Sequence, residues 1–315
     1  MALEAKSINV IGLLSGLLGV VSFYQENFAN VPEKGTTIRI KAGLAQGDEK
    51  TDIEGNIGAV FAWDNNNNYR GKSKGKHIGE GSFEDIILSQ FQHGRRLEYV
   101  AVAADEDAVC IAWIGVTMED GTPNGAWTGD IGSECGQAWY HSNEVGGYFK
   151  DTQKRYIPRC TWLDADRSGD SVVAAMKFSV LAYGTDVAET VENKKQCDFT
   201  LWGSDAGPIA KRPGKRLVEQ RKGWMENRLV VSKISQHKAV DLCNSTTSWG
   251  PDFVGSDGMF CDMHTKTLTP VCSFIDVDGC IDVDTDDKTI TKRFTMAKRE
   301  VALKHKSYST VSQWS

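Results

Sequence analysis

From Thr36 onward the hydrophobic period is that of short strands, with apolar residues gathered in runs of five to ten. The runs cover residues 36–44, 59–63, 85–91, 98–104, 108–117 and 176–183. They are rich in β-branched and aromatic side chains, and turn signals separate them: Glu54-Gly55-Asn56, the four asparagines Asn65 to Asn68, Gly79-Glu80-Gly81 and Asp105-Glu106-Asp107. Runs at this spacing predict an antiparallel β-sandwich over residues 36–200. A Gly-, Pro- and base-rich stretch, 201–222, reads as a linker and contains the dibasic pairs Lys211-Arg212 and Lys215-Arg216. Beyond it, residues 228–232 read as a strand, and Ser235 as the cap of a short helix over 236–244. Residues 223–315 are expected to form a small disulfide-rich α+β domain.

The first thirty residues break this period. On a helical wheel of about 100° per residue, Val10, Ile11, Leu13, Leu14, Leu17, Leu18, Val20 and Val21 fall on one half. Asn9, Gly12, Ser15, Gly16, Gly19 and Ser22 fall on the other, and Phe23 alone is out of place. The pattern predicts an apolar helix over 8–24 within an N-terminal segment 1–30. Its small residues Gly12, Ser15, Gly16 and Gly19 would let another backbone approach closely. The apolar run falls short of the roughly 20 residues of a membrane span, and no small-residue cleavage site follows it. A docked helix is favoured over a leader, with membrane contact through 8–24 as the other use.

Composition refines the class. The 315 residues are 40% hydrophobic and 25% charged, values of an ordinary globular chain. The net charge of −6 leaves no general basic face for phosphate neutralisation, so nucleic-acid binding is not expected. The eight cysteines, Cys110, Cys135, Cys160, Cys197, Cys243, Cys261, Cys272 and Cys280, show no C-x-x-C spacing. An even, scattered set of this kind points to disulfides in an oxidising compartment and to a secreted or cell-surface protein. If each half pairs within itself, Cys243–Cys261 and Cys272–Cys280 close the shortest loops of the second half. The sequon Asn244-Ser245-Thr246 agrees with secretory passage and glycosylation at Asn244.

Sites with chemistry are sparse. Asp164, Asp166, Ser168 and Asp170 place oxygens at positions 1, 3, 5 and 7 of a calcium-type loop with Gly169 at the turn, but position 12 is Ala175 in place of a bidentate glutamate. Calcium is therefore the one cofactor the sequence brings up, and no other is implied. Asp276, Asp278, Asp282 and Asp284 form a second acidic cluster, read as a solvated edge unless a cation sits among them. His237 and His264 with Asp252 and Asp262 could supply a base and its orienter, yet no nucleophile elbow or phosphate-binding glycine motif accompanies them. Trp127, Trp139, Tyr140 and Trp162 could stack on carbohydrate, although such residues more often fill a sandwich core.

Three stretches, residues 107–143, 160–166 and 237–273, resemble a family of secreted proteins of filamentous ascomycete fungi. The most specific part holds His237, Cys243, Gly250-Pro251-Asp252-Phe253 and Cys261-Asp262-Met263. The resemblance implies origin and compartment but carries no activity, so no catalytic residue follows from it. The resulting expectation is a structural or interaction role: self-assembly into a homo-oligomer, or binding of a protein surface or of carbohydrate. A hydrolase or toxin-like effector with a site near His237, and a membrane-associated protein using the N-terminal helix, are the alternatives.

Overall fold

The computed structural model describes residues 8–11, 20–30, 35–43, 55–79, 81–92, 96–120, 124–149, 152–166, 173–209, 221, 223–296 and 299–315. It divides into two compact units, Met1–Val218 and Glu219–Ser315. The protein is mainly β, with antiparallel sheets and only short helices.

In the first unit, two antiparallel sheets enclose one core. One sheet runs Trp139–Tyr140, Cys160–Leu163, Val109–Thr117, Thr37–Ala42, Phe83–Ile87, with Gly125–Thr128 also paired to Val109–Thr117. The other runs Thr200–Gly203, Ala175–Ser179, Tyr99–Ala104, Gly55–Trp63, Tyr69–Lys74. Alternation decides what each strand buries. Val60 and Ala62 face the main core with Val100, Val102, Ile38 and Ile40. Their neighbours Phe61, Trp63, Ala101 and Ala103 form a second, smaller cluster on the opposite face.

The N-terminal helix is not found. Ile8–Ile11 and Val20–Phe23 are strands that pair antiparallel, with Ile8 opposite Phe23. The second of them continues a small sheet through Gly147–Phe149 to Arg155–Tyr156. The physical reason lies in residue type. Five of the eight strand residues, Ile8, Val10, Ile11, Val20 and Val21, are β-branched, and each glycine between the strands would cost a helix about 1 kcal/mol relative to alanine. Phe23, the misfit of the helical wheel, anchors the hairpin. Its buried ring meets Phe28 at 5.4 Å and Trp113 at 5.3 Å, both edge-on, and its burial contributes about 2–3 kcal/mol. Gly12, Ser15, Gly16 and Gly19 lie outside the described residues, as do both dibasic pairs. Among the described residues no helix is long and apolar enough to cross a membrane.

The second unit holds a mixed five-stranded sheet in the order Thr267–Pro270, Met259–Asp262, Asp252–Val254, Arg228–Ser232, Thr310–Trp314. Arg228–Ser232 is parallel to both of its neighbours. A three-stranded antiparallel sheet, Ile281–Asp284, Thr289–Met296, Arg299–Ser307, shares its core through Leu229, Phe260, Ile281 and Ile290. The helix of the cysteine-rich region begins later than expected, at Ala239, and ends at Asn244. Its cap is Asp257 and not Ser235: the carboxylate accepts the N–H groups of Ala239 and Val240, each at 3.1 Å.

All four disulfides stay within their own unit: Cys110–Cys160, Cys135–Cys197, Cys243–Cys261 and Cys272–Cys280. The two short loops of the second unit close as their spacing suggests. By loop entropy the separations of 50 and 62 residues in the first unit are worth about 4 kcal/mol each, against roughly 2.5–3 for the short loops. No cysteine is left free, the pattern of an oxidising environment.

Candidate functional site

The second unit gathers its charge around Asp252, a residue 1% exposed on a central strand. Its Oδ1 accepts the main-chain N–H of Met263 at 2.9 Å and faces the Arg221 guanidinium at 3.1 Å. Its Oδ2 accepts from Lys306 Nζ and from the Tyr308 hydroxyl, both at 2.9 Å. Lys306 reaches onward to Asp262 Oδ2 at 2.6 Å. Asp262 Oδ1 in turn accepts the N–H groups of His264 and Thr265 at 3.0 and 3.2 Å. Burial alone would raise the Asp262 carboxyl, but the Lys306 ammonium and the two N–H groups outweigh it and hold the group below its ordinary value. Burial, with the Asp252 charge beside it, pushes the Tyr308 hydroxyl far up.

Two carboxylates and two cations thus neutralise each other in a largely dry site, and every oxygen of Asp252 is taken. A general base must have a lone pair free for the proton it abstracts. Asp252 has none, so this constellation works as a clamp joining four chain segments. The two histidines do not complete it. His237 is 1% exposed, its Nδ1 lies 2.9 Å from Ser232 Oγ, and its ring packs near Phe253 and Trp314. His264 is exposed and contributes its main-chain N–H to Asp262. The hydrolase reading near His237 therefore loses its catalytic pair.

Lys266, which the sequence does not single out, lies close by. Its ammonium donates to Ser248 O at 2.8 Å and to Ser248 Oγ, and approaches Leu242 O at 3.4 Å. It is pushed down to about 8 by burial and then by Arg221, with Asp252 opposing. Its acceptors include a carbonyl in the last turn of the Ala239–Asn244 helix, so the amine caps that helix.

The other candidates resolve as follows. Asp164 is fully buried and Asp166 exposed, while Ser168 and Asp170 lie outside the described residues. In the second acidic cluster the cation is a side chain: Arg293 clasps Asp282 through two bonds of 2.5 and 2.7 Å and reaches Asp276 at 3.4 Å. Asp284 instead accepts the N–H groups of Asp286 and Asp287. Among the described residues one grouping has metal-ligand spacing, Cys272, Asp276 and Cys280, but its two sulfurs are joined to each other and offer no thiolate. Trp127, Trp139, Tyr140 and Trp162 are all buried, so the four serve the core and not a sugar. Asn244 is exposed at the end of its helix.

The first unit contains a buried acid that the sequence also leaves unmarked. Asp130, fully buried in the helix Gly129–Glu134, accepts from the Tyr156 hydroxyl at 2.5 Å and from the Arg159 N–H at 3.2 Å. Burial pushes it up to about 6, and Arg159 and Tyr156 only partly oppose the shift. A cavity of about 150 Å³ in this unit is lined by Glu98, Ser179, Glu189, Thr190 and Phe199. Its polar floor is internally bonded: Ser179 donates to Glu98 at 2.7 Å, and Thr190 to Ala182 O at 2.9 Å.

What fold and site define is a disulfide-braced, mainly β protein of two units, with the charge cluster around Asp252 tied up in internal contacts. No protein-family model and no curated protein matches the sequence.

Proposed function

We propose that the chain is a secreted fungal binding protein that acts without catalysis and docks a partner protein through the loop between Cys272 and Cys280. The observation that carries this reading is a rigid display of apolar side chains. Phe274 is 65% exposed, Ile275 46% and Val277 46%, all within one short loop. Soluble proteins seldom hold out several neighbouring large apolar side chains without a use. The loop is held by its disulfide, by the N–H groups of Phe274 and Ile275 on Val271 O, and by the exchange of main-chain bonds between Gly279, Cys280 and Arg293. An epitope fixed before binding loses little entropy on docking. The Asp276 carboxylate beside it is three-quarters exposed (74%), which suits an apolar cleft with a basic rim and disfavours an anionic lipid surface.

The test uses labelled full-length chain on protoplasts of a filamentous ascomycete. Saturable binding is expected, abolished by trypsin treatment of the protoplasts and by Phe274→Ser/Ile275→Ser at unchanged Tm. Equal binding by the variant, or no saturable binding by wild type, refutes the reading. Sedimentation of both proteins across concentration reports whether the partner is a second copy.

A further inference from the structure

We infer that the first unit carries a separate glycan-binding platform, built from Tyr69, Phe91 and the asparagine turn that precedes Tyr69, for a neutral polysaccharide. Three rings stand in file. Trp63 and Tyr69 are 5.8 Å apart between centroids at 65°, and Tyr69 and Phe91 are 5.6 Å apart at 70°. Exposure rises along the file, from 6% at Trp63 through 38% at Tyr69 to 72% at Phe91. Each ring meets the next edge to face, so Tyr69 supports Phe91 while the body of Phe91 remains in water. Trp63 anchors the file in the cluster behind the sheet.

The platform is fixed by backbone. The Phe91 N–H donates to Arg70 O at 2.9 Å, and Gly71 bridges to Gln90. A Cβ at Gly71 would lie 2.1 Å from Ser89 O, so only glycine lets the two segments come this close. The turn from Asp64 to Asn68 is closed by Asp64 N–H to Asn68 O at 3.0 Å, with Asn67 at φ 59°. Asp64 Oδ1 accepts the N–H groups of Asn66 and Asn68 at 3.0 and 2.9 Å.

Charge decides what kind of ligand this surface suits. Asp64 is spent on the turn and on Arg70, whose Nε donates to Oδ2 at 2.9 Å. Lys177, buried to 4% exposure, places its amine 3.8 Å from the Trp63 ring centre and donates to Asn67 Oδ1 at 2.5 Å. Lys72 sits over Phe61 at 5.2 Å. Within the turn and on Tyr69, what remains uncommitted is neutral: the exposed amides of Asn65 and Asn66 and the Tyr69 hydroxyl. Amides and a phenol both donate and accept, as sugar hydroxyls do. The exposed rings meet the C–H faces of pyranoses; the exposed Lys72 and Lys74 lie further along the strand from Tyr69, so the turn and the rings themselves present no charge to a ligand.

The experiment is affinity electrophoresis of the full chain in native gels cast with laminarin, hydroxyethylcellulose, galactomannan or glycol chitin, with polygalacturonate as the charged control. At least one neutral polymer is expected to slow wild type, with no relief by high salt. Tyr69→Ala and Phe91→Ala should each weaken that binding by about tenfold, and the double variant should run as in an empty gel. Both side chains are exposed, and an unchanged Tm confirms that the fold survives. Loop variants at Phe274 and Ile275 should be slowed like wild type, which separates this site from the docking loop. The inference fails if no neutral polymer retards wild type, if the double variant is still retarded, or if only polygalacturonate does so. It fails equally if Tyr69→Ala and Phe91→Ala abolish a concentration-dependent self-association, because the rings would then form a contact between copies.

Discussion

Asp130 in the first unit and Asp252 in the second are both buried, and both accept a hydrogen bond from a tyrosine hydroxyl. They differ in what else surrounds them. Asp252 also meets two cationic side chains, Arg221 and Lys306, and a main-chain N–H. Asp130 meets Tyr156 and the main-chain N–H of Arg159, whose guanidinium acts on it as a nearby charge. A carboxylate removed from water needs either opposite charge in contact or a proton. Asp252 has the first, whereas Asp130 leans toward the second and is pushed up to about 6. One unit has therefore built a permanent ionic clamp, and the other a hydrogen-bonded acid that titrates.

The largest expected effect breaks the clamp. Lys306→Met removes the cation shared by Asp252 and Asp262 and leaves excess buried negative charge. The second unit should lose about 3–5 kcal/mol, read as a lower urea midpoint for the transition of residues 219–315. Lys306→Met/Asp252→Asn should recover part of the loss. Equal destabilisation by the single and double variants would show that Lys306 acts by packing and not by charge.

A smaller effect tests the other acid. Between about pH 4 and pH 6 the fold keeps a proton on Asp130 that the unfolded chain has already released. More protons on the native side mean that stability falls as pH rises through this window. Asp130 therefore costs the fold about 2 kcal/mol at pH 7 relative to pH 4, and Asp130→Asn abolishes that slope. Urea midpoints at pH 4, 5, 6 and 7 should show wild type losing this much relative to the variant. A difference that does not move with pH would contradict a protonated Asp130.

The contrast between the two acids also shows what a linear sequence can carry. Short β-branched and aromatic runs bounded by turn residues placed the sandwich strands because that patterning is local, and residues 59–63 and 98–104 read as strands on that ground alone. It could not tell which aromatics face water: Trp127 and Trp162 are buried, while Tyr69 and Phe91 stand out. Outer-face cover such as that over Ala101 and Ala103 comes from distant segments. The N-terminal stretch misled because the apolar and small residues of 8–24 sort onto two faces of a wheel as readily as onto a hairpin. Phe23 was the local sign against the helix. The clamp had no local sign, since Lys306 and Tyr308 lie 54 and 56 residues beyond Asp252. Of the candidate base and orienter, Asp252 and Asp262 do meet through Lys306, but that lysine and Arg221 turn a catalytic pattern into a structural one.

The smallest effect concerns a third aspartate, one that serves as a helix cap. Asp257 is only half-buried and accepts the first two N–H groups of the helix Ala239–Asn244. Water still reaches it, so desolvation is slight, and its bonds are made at the partially positive end of a helix. Asp257→Ala should then cost only about 1 kcal/mol, and Asp257→Asn less, because the amide oxygen can still cap. Chemical denaturation of the two variants beside Lys306→Met measures the spread directly. A loss for Asp257→Ala as large as for Lys306→Met would mean that burial is not what separates the aspartates of this protein.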